Sequence, residues 1–183
     1  EWNWWDPEPN TLATHWRTTP NALDWNGDGL TDLVMLDHEG YLSYFERTEM
    51  DGNFILKPGK RIFESTPGEY NRRNVPSESA TGPLRLNSDK YGSSGRRKLA
   101  FGDWDRDGDM DIMLNSINAI LVENKGKQDG KVLMQMSETN ISDHKLAGHT
   151  TSPTFVDWDN NGVLDLVLGA EDGHFYYLRN IHP

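Results

Sequence analysis

One nine-residue pattern occurs three times in this chain and limits its folding more than any other feature. "DWNGDGLTD" (Asp24–Asp32), "DWDRDGDMD" (Asp103–Asp111) and "DWDNNGVLD" (Asp157–Asp165) all fit D-W-[DN]-x-[DN]-G-x-x-D without a gap. Each crowds carboxylates into a few residues, which is repulsive unless something cationic sits among them. Each is followed at once by a short apolar run, "DLVMLD", "DIMLNS" or "DLVLGA", read as a strand buried on both faces.

The spacing carries a specific chemistry. In a tight loop the side chains at the first, third and fifth positions converge on one point, and the glycine at the sixth permits the sharp turn. The seventh residue then offers its backbone carbonyl, and the ninth carboxylate closes the cage. Hard oxygen donors in this order suit Ca²⁺ better than Mg²⁺ or Mn²⁺. The expected ligands of the first loop are Asp24, Asn26, Asp28, Leu30 (carbonyl) and Asp32. Those of the second are Asp103, Asp105, Asp107, Asp109 (carbonyl) and Asp111. Those of the third are Asp157, Asp159, Asn161, Val163 (carbonyl) and Asp165. The closing Glu that an EF-hand loop places twelfth is missing, with Met35, Leu114 and Leu168 there instead. Acidic turns with no metal are the plain alternative; three copies, each followed by an apolar strand, argue against it.

The repeat extends outward from the loops. "NALDW", "KLAFGDW" and "TFVDW" read as strands entering the loops, and "YLSYFER", "AILVENK" and "HFYYLRN" as third strands after a turn. "FILKPGKRIF" and "KVLMQMSETN" read as fourth strands of the first two units. Trp25, Trp104 and Trp158 hold one repeat position and read as core. Units of about four antiparallel strands without helical periodicity predict an all-β chain built as β-propeller blades. With these motifs the sequence resembles the FG-GAP/VCBS repeat family, in which such a calcium loop joins the first two strands of each blade. That resemblance covers most of residues 12–180. It implies a fold more sharply than a function, because the family includes adhesion receptors, lectins and polysaccharide lyases.

The blades are expected at about residues 12–62, 95–142 and 146–183 of a single domain, with a surface insertion at about 64–95 rich in Pro, Gly and Ser. The third blade ends at "YYLRNIHP" with no fourth strand, and three blades do not close a ring of four to eight. The expectation is therefore the C-terminal part of a larger propeller, its missing blades supplied by upstream chain or another subunit. "EWNWWDPEP" is the alternative source of an outer strand.

A second constellation precedes the first strands. "LATHWRTTPNALDW" and "LAGHTTSPTFVDW" share L-A-x-H, and "SGRRKLAFGDW" stands in the middle unit. The calcium loop lies at the far end of each first strand, so His15, Trp16, Arg96, Arg97, Lys98 and His149 are expected on the opposite rim. One reading makes them structural, with His bonded to backbone and Arg paired to nearby acids. The other makes them an anion-binding mouth with Trp16 or Tyr91 as a wall for a sugar face.

The net charge of −11 argues against nucleic acid or an anionic membrane as partner, and three divalent ions would reduce it to about −5. There are no cysteines, hence no disulfides or thiolate metal sites. No apolar run approaches the ~20 residues of a membrane span. The chain starts at Glu1 with no initiator Met or signal peptide, as a processed or trimmed chain would. Such loops fill reliably where calcium is near millimolar, so the expected location is extracellular, cell-surface or periplasmic. The leading expectation is a propeller that binds carbohydrate, an acidic polysaccharide by preference. The first alternative is a uronate lyase in which Arg96 or Arg97 neutralises the carboxylate, His149 or His15 takes the proton and Tyr91 protonates the leaving oxygen. The second is a structural or protein-interaction (adhesion) propeller.

Overall fold

The computed structural model describes residues 11–14, 17–66, 82–87, 97–137 and 141–181. Every regular element among them is a β-strand, and every ladder is antiparallel. The chain divides into two compact units, Glu1–Ser65 with Arg72–Arg97, and Thr66–Asn71 with Lys98–Pro183.

In the first unit, β1 (Asn21–Leu23), β2 (Asp32–Leu36) and β3 (Leu42–Phe45) form a three-stranded meander. The expected fourth strand across "FILKPGKRIF" does not form as one piece. Asn53–Leu56 (β5) instead turns back on Arg47–Met50 (β4), because Asp51 and Gly52 both adopt positive φ and close a tight hairpin. The outer edge of β3 is satisfied in fragments. Lys60 exchanges two backbone hydrogen bonds with Tyr44, and the Leu42 N–H donates to the Leu84 carbonyl.

Leu84 belongs to the expected surface insertion, which requires a correction. Residues 82–87 include β7 (Gly82–Pro83), paired with β6 (Phe63–Ser65), and Leu84 and Leu86 are fully buried. The alternation in "LRLN" points its leucines inward in the two-residue period of a strand. Arg85, between them, instead lies over the Tyr41 ring and donates to the Glu39 carbonyl. Gly40 makes this approach possible, since a Cβ there would lie 2.5 Å from the Asn87 carbonyl oxygen. Arg61 completes the β2–β3 turn, stacking on Tyr41 and pairing with Asp37 (2.6 Å) and Glu39.

The second unit holds two meanders. β8 (Leu99–Gly102), β9 (Asp111–Asn115), β10 (Ala119–Gln128) and β11 (Lys131–Met136) run in sequence order, so the expected fourth strand over "KVLMQM" is present here. β12 (Ser152–Val156), β13 (Asp165–Gly169) and β14 (Phe175–Leu178) form a three-stranded sheet whose β12 packs on β8 and β9. The contact is apolar: Trp104, Met113, Ala119, Leu166 and Leu168 are buried, with Phe155, Tyr176 and Leu178 against them. Gly102 lets the sheets approach, because a Cβ would meet Leu164 Cδ1 at 2.7 Å and the Phe155 ring at 2.8 Å. β9 is buried at every position, as a strand covered on both faces should be.

The repeated tryptophans do not share one fate. Trp104 is buried against Phe155, and Trp25 is half-buried edge-on to Phe63 at 5.0 Å. Trp158 is 64 % exposed, which corrects its expected place in the core. The position is the same; what differs is the sheet that covers it. β12–β14 lies over Trp104, whereas Trp158 has the Tyr177 ring of its own sheet beside it at 6.1 Å and stays largely open to solvent.

Candidate functional site

Each nine-residue stretch folds as a loop between the first two strands of its meander: β1–β2, β8–β9 and β12–β13. The sixth-position glycines have φ of +86°, +95° and +84° at Gly29, Gly108 and Gly162. The fourth position is left-handed too, in Gly27, Arg106 and Asn160. Glycine and asparagine at two of these positions hint at that conformation in sequence, and arginine at the other conceals it.

The turn so formed aims backbone donors at the first carboxylate. Asp24 accepts from the N–H groups of Gly27 (2.9 Å), Asp28 (3.1 Å) and Gly29 (2.9 Å). Asp157 accepts from Asn161 (3.0 Å) and Gly162 (2.9 Å), and Asp103 Oδ2 from Gly108 (3.1 Å). The fifth side chain accepts from the seventh N–H in all three loops: Asp28 from Leu30, Asp107 from Asp109, Asn161 from Val163. These bonds hold the candidate ligands to the inside of the turn.

The ninth carboxylate has a role that the spacing alone does not show. Asp32, Asp111 and Asp165 are at most 1 % exposed, and each receives the backbone N–H of the tryptophan at the second position. Each also receives an N–H from the third strand or the residues just beyond it: Arg47 (2.7 Å), Asn124 (2.8 Å) and Asn180 (2.9 Å). Tyr44 and Tyr177 add hydroxyl donors to Asp32 and Asp165 at 3.0 and 2.9 Å. Asn124 and Asn180 return side-chain amides to the eighth-position carbonyls of Met110 and Leu164. The ninth aspartate is thus a buried clasp joining loop to sheet. The recurring Asn in "VEN" and "LRN" was its sequence signal.

The electrostatics separate the loops. Burial pushes the Asp111 carboxyl up to about 6; its backbone donors oppose this, while Asp105 and Asp107 add to it. Burial works the same way on Asp165. There the Asn180 N–H, the Tyr177 hydroxyl, the Trp158 N–H and the Arg179 charge outweigh it and hold the group below the ordinary carboxylate range.

The second loop also has the geometry of a cation site. Ligand oxygens of Asp103, Asp105 and Asp111 all lie within 4.8 Å of one another, and Asp103 Oδ1 is buried without a hydrogen-bond partner. A buried carboxylate oxygen left unsatisfied beside two further carboxylates is costly for the bare protein. A divalent ion with hard oxygen preference fits both features, so the donor set suits Ca²⁺.

At the other end of the second unit's strands, Lys98 and His149 precede β8 and β12. They belong to one polar network: the Lys98 N–H donates to Asn115 Oδ1, and Asn115 Nδ2 donates to Thr150 Oγ1. His149 is highly exposed, and its Nδ1 lies 3.1 Å from Glu171 Oε1. That carboxylate also accepts the N–H groups of Gly148, His149 and Thr150. Burial acts to raise Glu171, but the N–H groups of His149 and Thr150 and the His149 imidazole bring it below the ordinary range. Arg97 donates from Nε to the Leu86 carbonyl in the first unit. His15, Trp16, Tyr91 and Arg96 lie outside the described residues.

Comparison with known proteins adds no relative: no family model matches the chain, and no curated protein is significantly similar to it.

Proposed function

We propose that this chain is a segment of a calcium-stabilised β-propeller of the FG-GAP/VCBS repeat kind, exported from the cell, that binds acidic carbohydrate without transforming it. The observation that carries the reading is the second loop. Its three convergent carboxylates and the partnerless Asp103 Oδ1 are what a structural calcium site requires of its protein. Asp103, Asp105, Asp107 and Asp111 would hold the ion there, with the Asp109 carbonyl. The corresponding residues of the outer loops would hold two more. Bound calcium supplies positive charge that lets each acidic turn close on its sheet.

A continuing ring of blades is supported by repeat equivalence within the second unit. The face of β8–β10 that carries Trp104 and Ala119 is covered by β12–β14. The matching face of β12–β14 carries Trp158, Phe175 and Tyr177, which are 64, 82 and 44 % exposed. An uncovered aromatic face of this size suits another sheet of the same repeat.

The acidic-glycan reading rests on Lys98 and His149, which share the end of the unit away from the loops in a chain of strong negative charge. Binding to an array of acidic and neutral glycans, in calcium and in excess EGTA, tests it. Retention on uronate polymers in calcium, with no rise in ultraviolet absorbance from unsaturated uronates, is the expected result. Absorbance growth would make the chain a lyase, and silence across the array would favour a protein-interaction role.

A further inference from the structure

The three loops share a pattern but not a charge environment, and the difference lies outside the pattern. The residue just before the third-strand donor to the ninth aspartate is Glu46 in the first repeat, Glu123 in the second and Arg179 in the third. Glu46 and Glu123 turn to lysines of their own repeats: Lys57 (2.5 Å) and Lys60 (3.7 Å) for Glu46, Lys125 for Glu123. Arg179 has turned into its loop, its Nη2 3.0 Å from Oδ2 of Asp159, the third-position ligand. The third loop therefore already contains a cation on one of its expected ligands.

The other two loops differ as well. In the first, Asn26 takes the third position, and its Nδ2 donates to Asp28 Oδ2 at 2.8 Å, so an amide spends one carboxylate oxygen. Asp24 and Asp28 are exposed. In the second, Asp103, Asp105, Asp107, Asp109 and Asp111 are all acidic, Asp103 and Asp105 are half-buried, and oxygens of Asp103, Asp105 and Asp111 lie within 4.8 Å of one another. Calcium affinity in such loops rises with ligand charge and with a preformed, rigid cage.

We propose that the loops are unequal calcium sites, the second loop binding tightly and Arg179 holding the third in a weak state. The proposal rests on the calcium reading above and assigns Arg179 a regulatory place in it. A calcium ion entering the third loop has to displace the guanidinium from Asp159 and then bind beside its charge. The third site consequently fills last, and its occupancy responds most to calcium concentration. Arg179 is largely exposed, so the penalty is moderated by solvent.

Calcium titration calorimetry on the 183-residue chain, paired with terbium luminescence sensitised by the loop tryptophans, tests this. The expected result is a tight step that weakens in Asp105→Asn, which gives the second loop the first loop's third residue, and a last, weak step that strengthens about tenfold in Arg179→Gln while the tight step stays unchanged. Arg179→Lys should retain the weak step, since it preserves the positive charge. Three indistinguishable steps in the wild-type chain, or a weak step indifferent to Arg179→Gln, would overturn the proposal and leave the calcium reading standing. Absence of both calcium heat and terbium luminescence would overturn both.

Discussion

Replacing Asp32 by alanine separates the two roles of the ninth loop position. Its carboxylate is fully buried and accepts from Arg47 N–H, Trp25 N–H and Tyr44 Oη at 2.7, 3.1 and 3.0 Å. Hydrogen bonds to a charged partner contribute roughly 1.5–3 kcal/mol each, and a donor stranded in the interior costs about as much again. Tyr44 stays buried after the change, whereas Arg47 and Trp25 are half-buried and regain some water. Counting one stranded donor in full and two in part gives a loss of about 4 kcal/mol. For a chain of this size that is a fall in melting temperature on the order of 10 °C. The measurement is thermal unfolding by circular dichroism in excess EGTA, where no ligand role remains. Asp24→Ala serves as control, because Asp24 is exposed and its loop donors can turn to water, so its cost in EGTA should be only about 1 kcal/mol. If Asp32→Ala and Asp24→Ala melted together with the wild type in EGTA, the clasp would contribute nothing and the position would serve metal alone.

Removing calcium from the wild-type chain should lower its melting temperature by many degrees, and in calcium Asp103→Ala should cost more than Asn26→Ala, because only the former deletes a charged ligand; an unchanged melt after verified metal removal would count against a structural ion. Gly102→Ala should destabilise by about 1–3 kcal/mol in urea unfolding, because the new Cβ would meet the Phe155 ring, already fixed against Trp104; no loss would mean the sheets can separate freely. The Glu39 carboxyl is held below its ordinary value of 4.5, chiefly by its hydrogen bond from Arg61, against some desolvation. Its contribution is therefore full above that value and is lost as pH falls through the lower folded value. Arg61→Met should flatten the acid limb of the stability profile, and an unaltered limb would assign it to other carboxylates.

The loops and strands were legible in sequence because their determinants are local. Glycine at the sixth position, aspartate or asparagine at alternate positions and an unbroken apolar run afterwards are all read within a dozen residues. The same holds for β11, whose alternating "KVLMQM" matches its burial. The first repeat's outer strand was not legible, because the Asp51–Gly52 hairpin competes locally and wins, leaving Lys60 and Leu84 to satisfy the edge of β3. Leu84 and Leu86 were hidden by the loop-like composition around them.

What the sequence determined by itself is the conformation of each acidic turn and the β-class of the chain, since both follow from short-range sterics and periodicity. What only the tertiary structure decided is the environment of each copy of the pattern. Trp104 is buried and Trp158 exposed because burial depends on which sheet lies opposite. Likewise the charge at the third loop depends on Arg179, which returns from the end of the third strand to Asp159, whereas Glu46 and Glu123 at the same place turn to lysines instead.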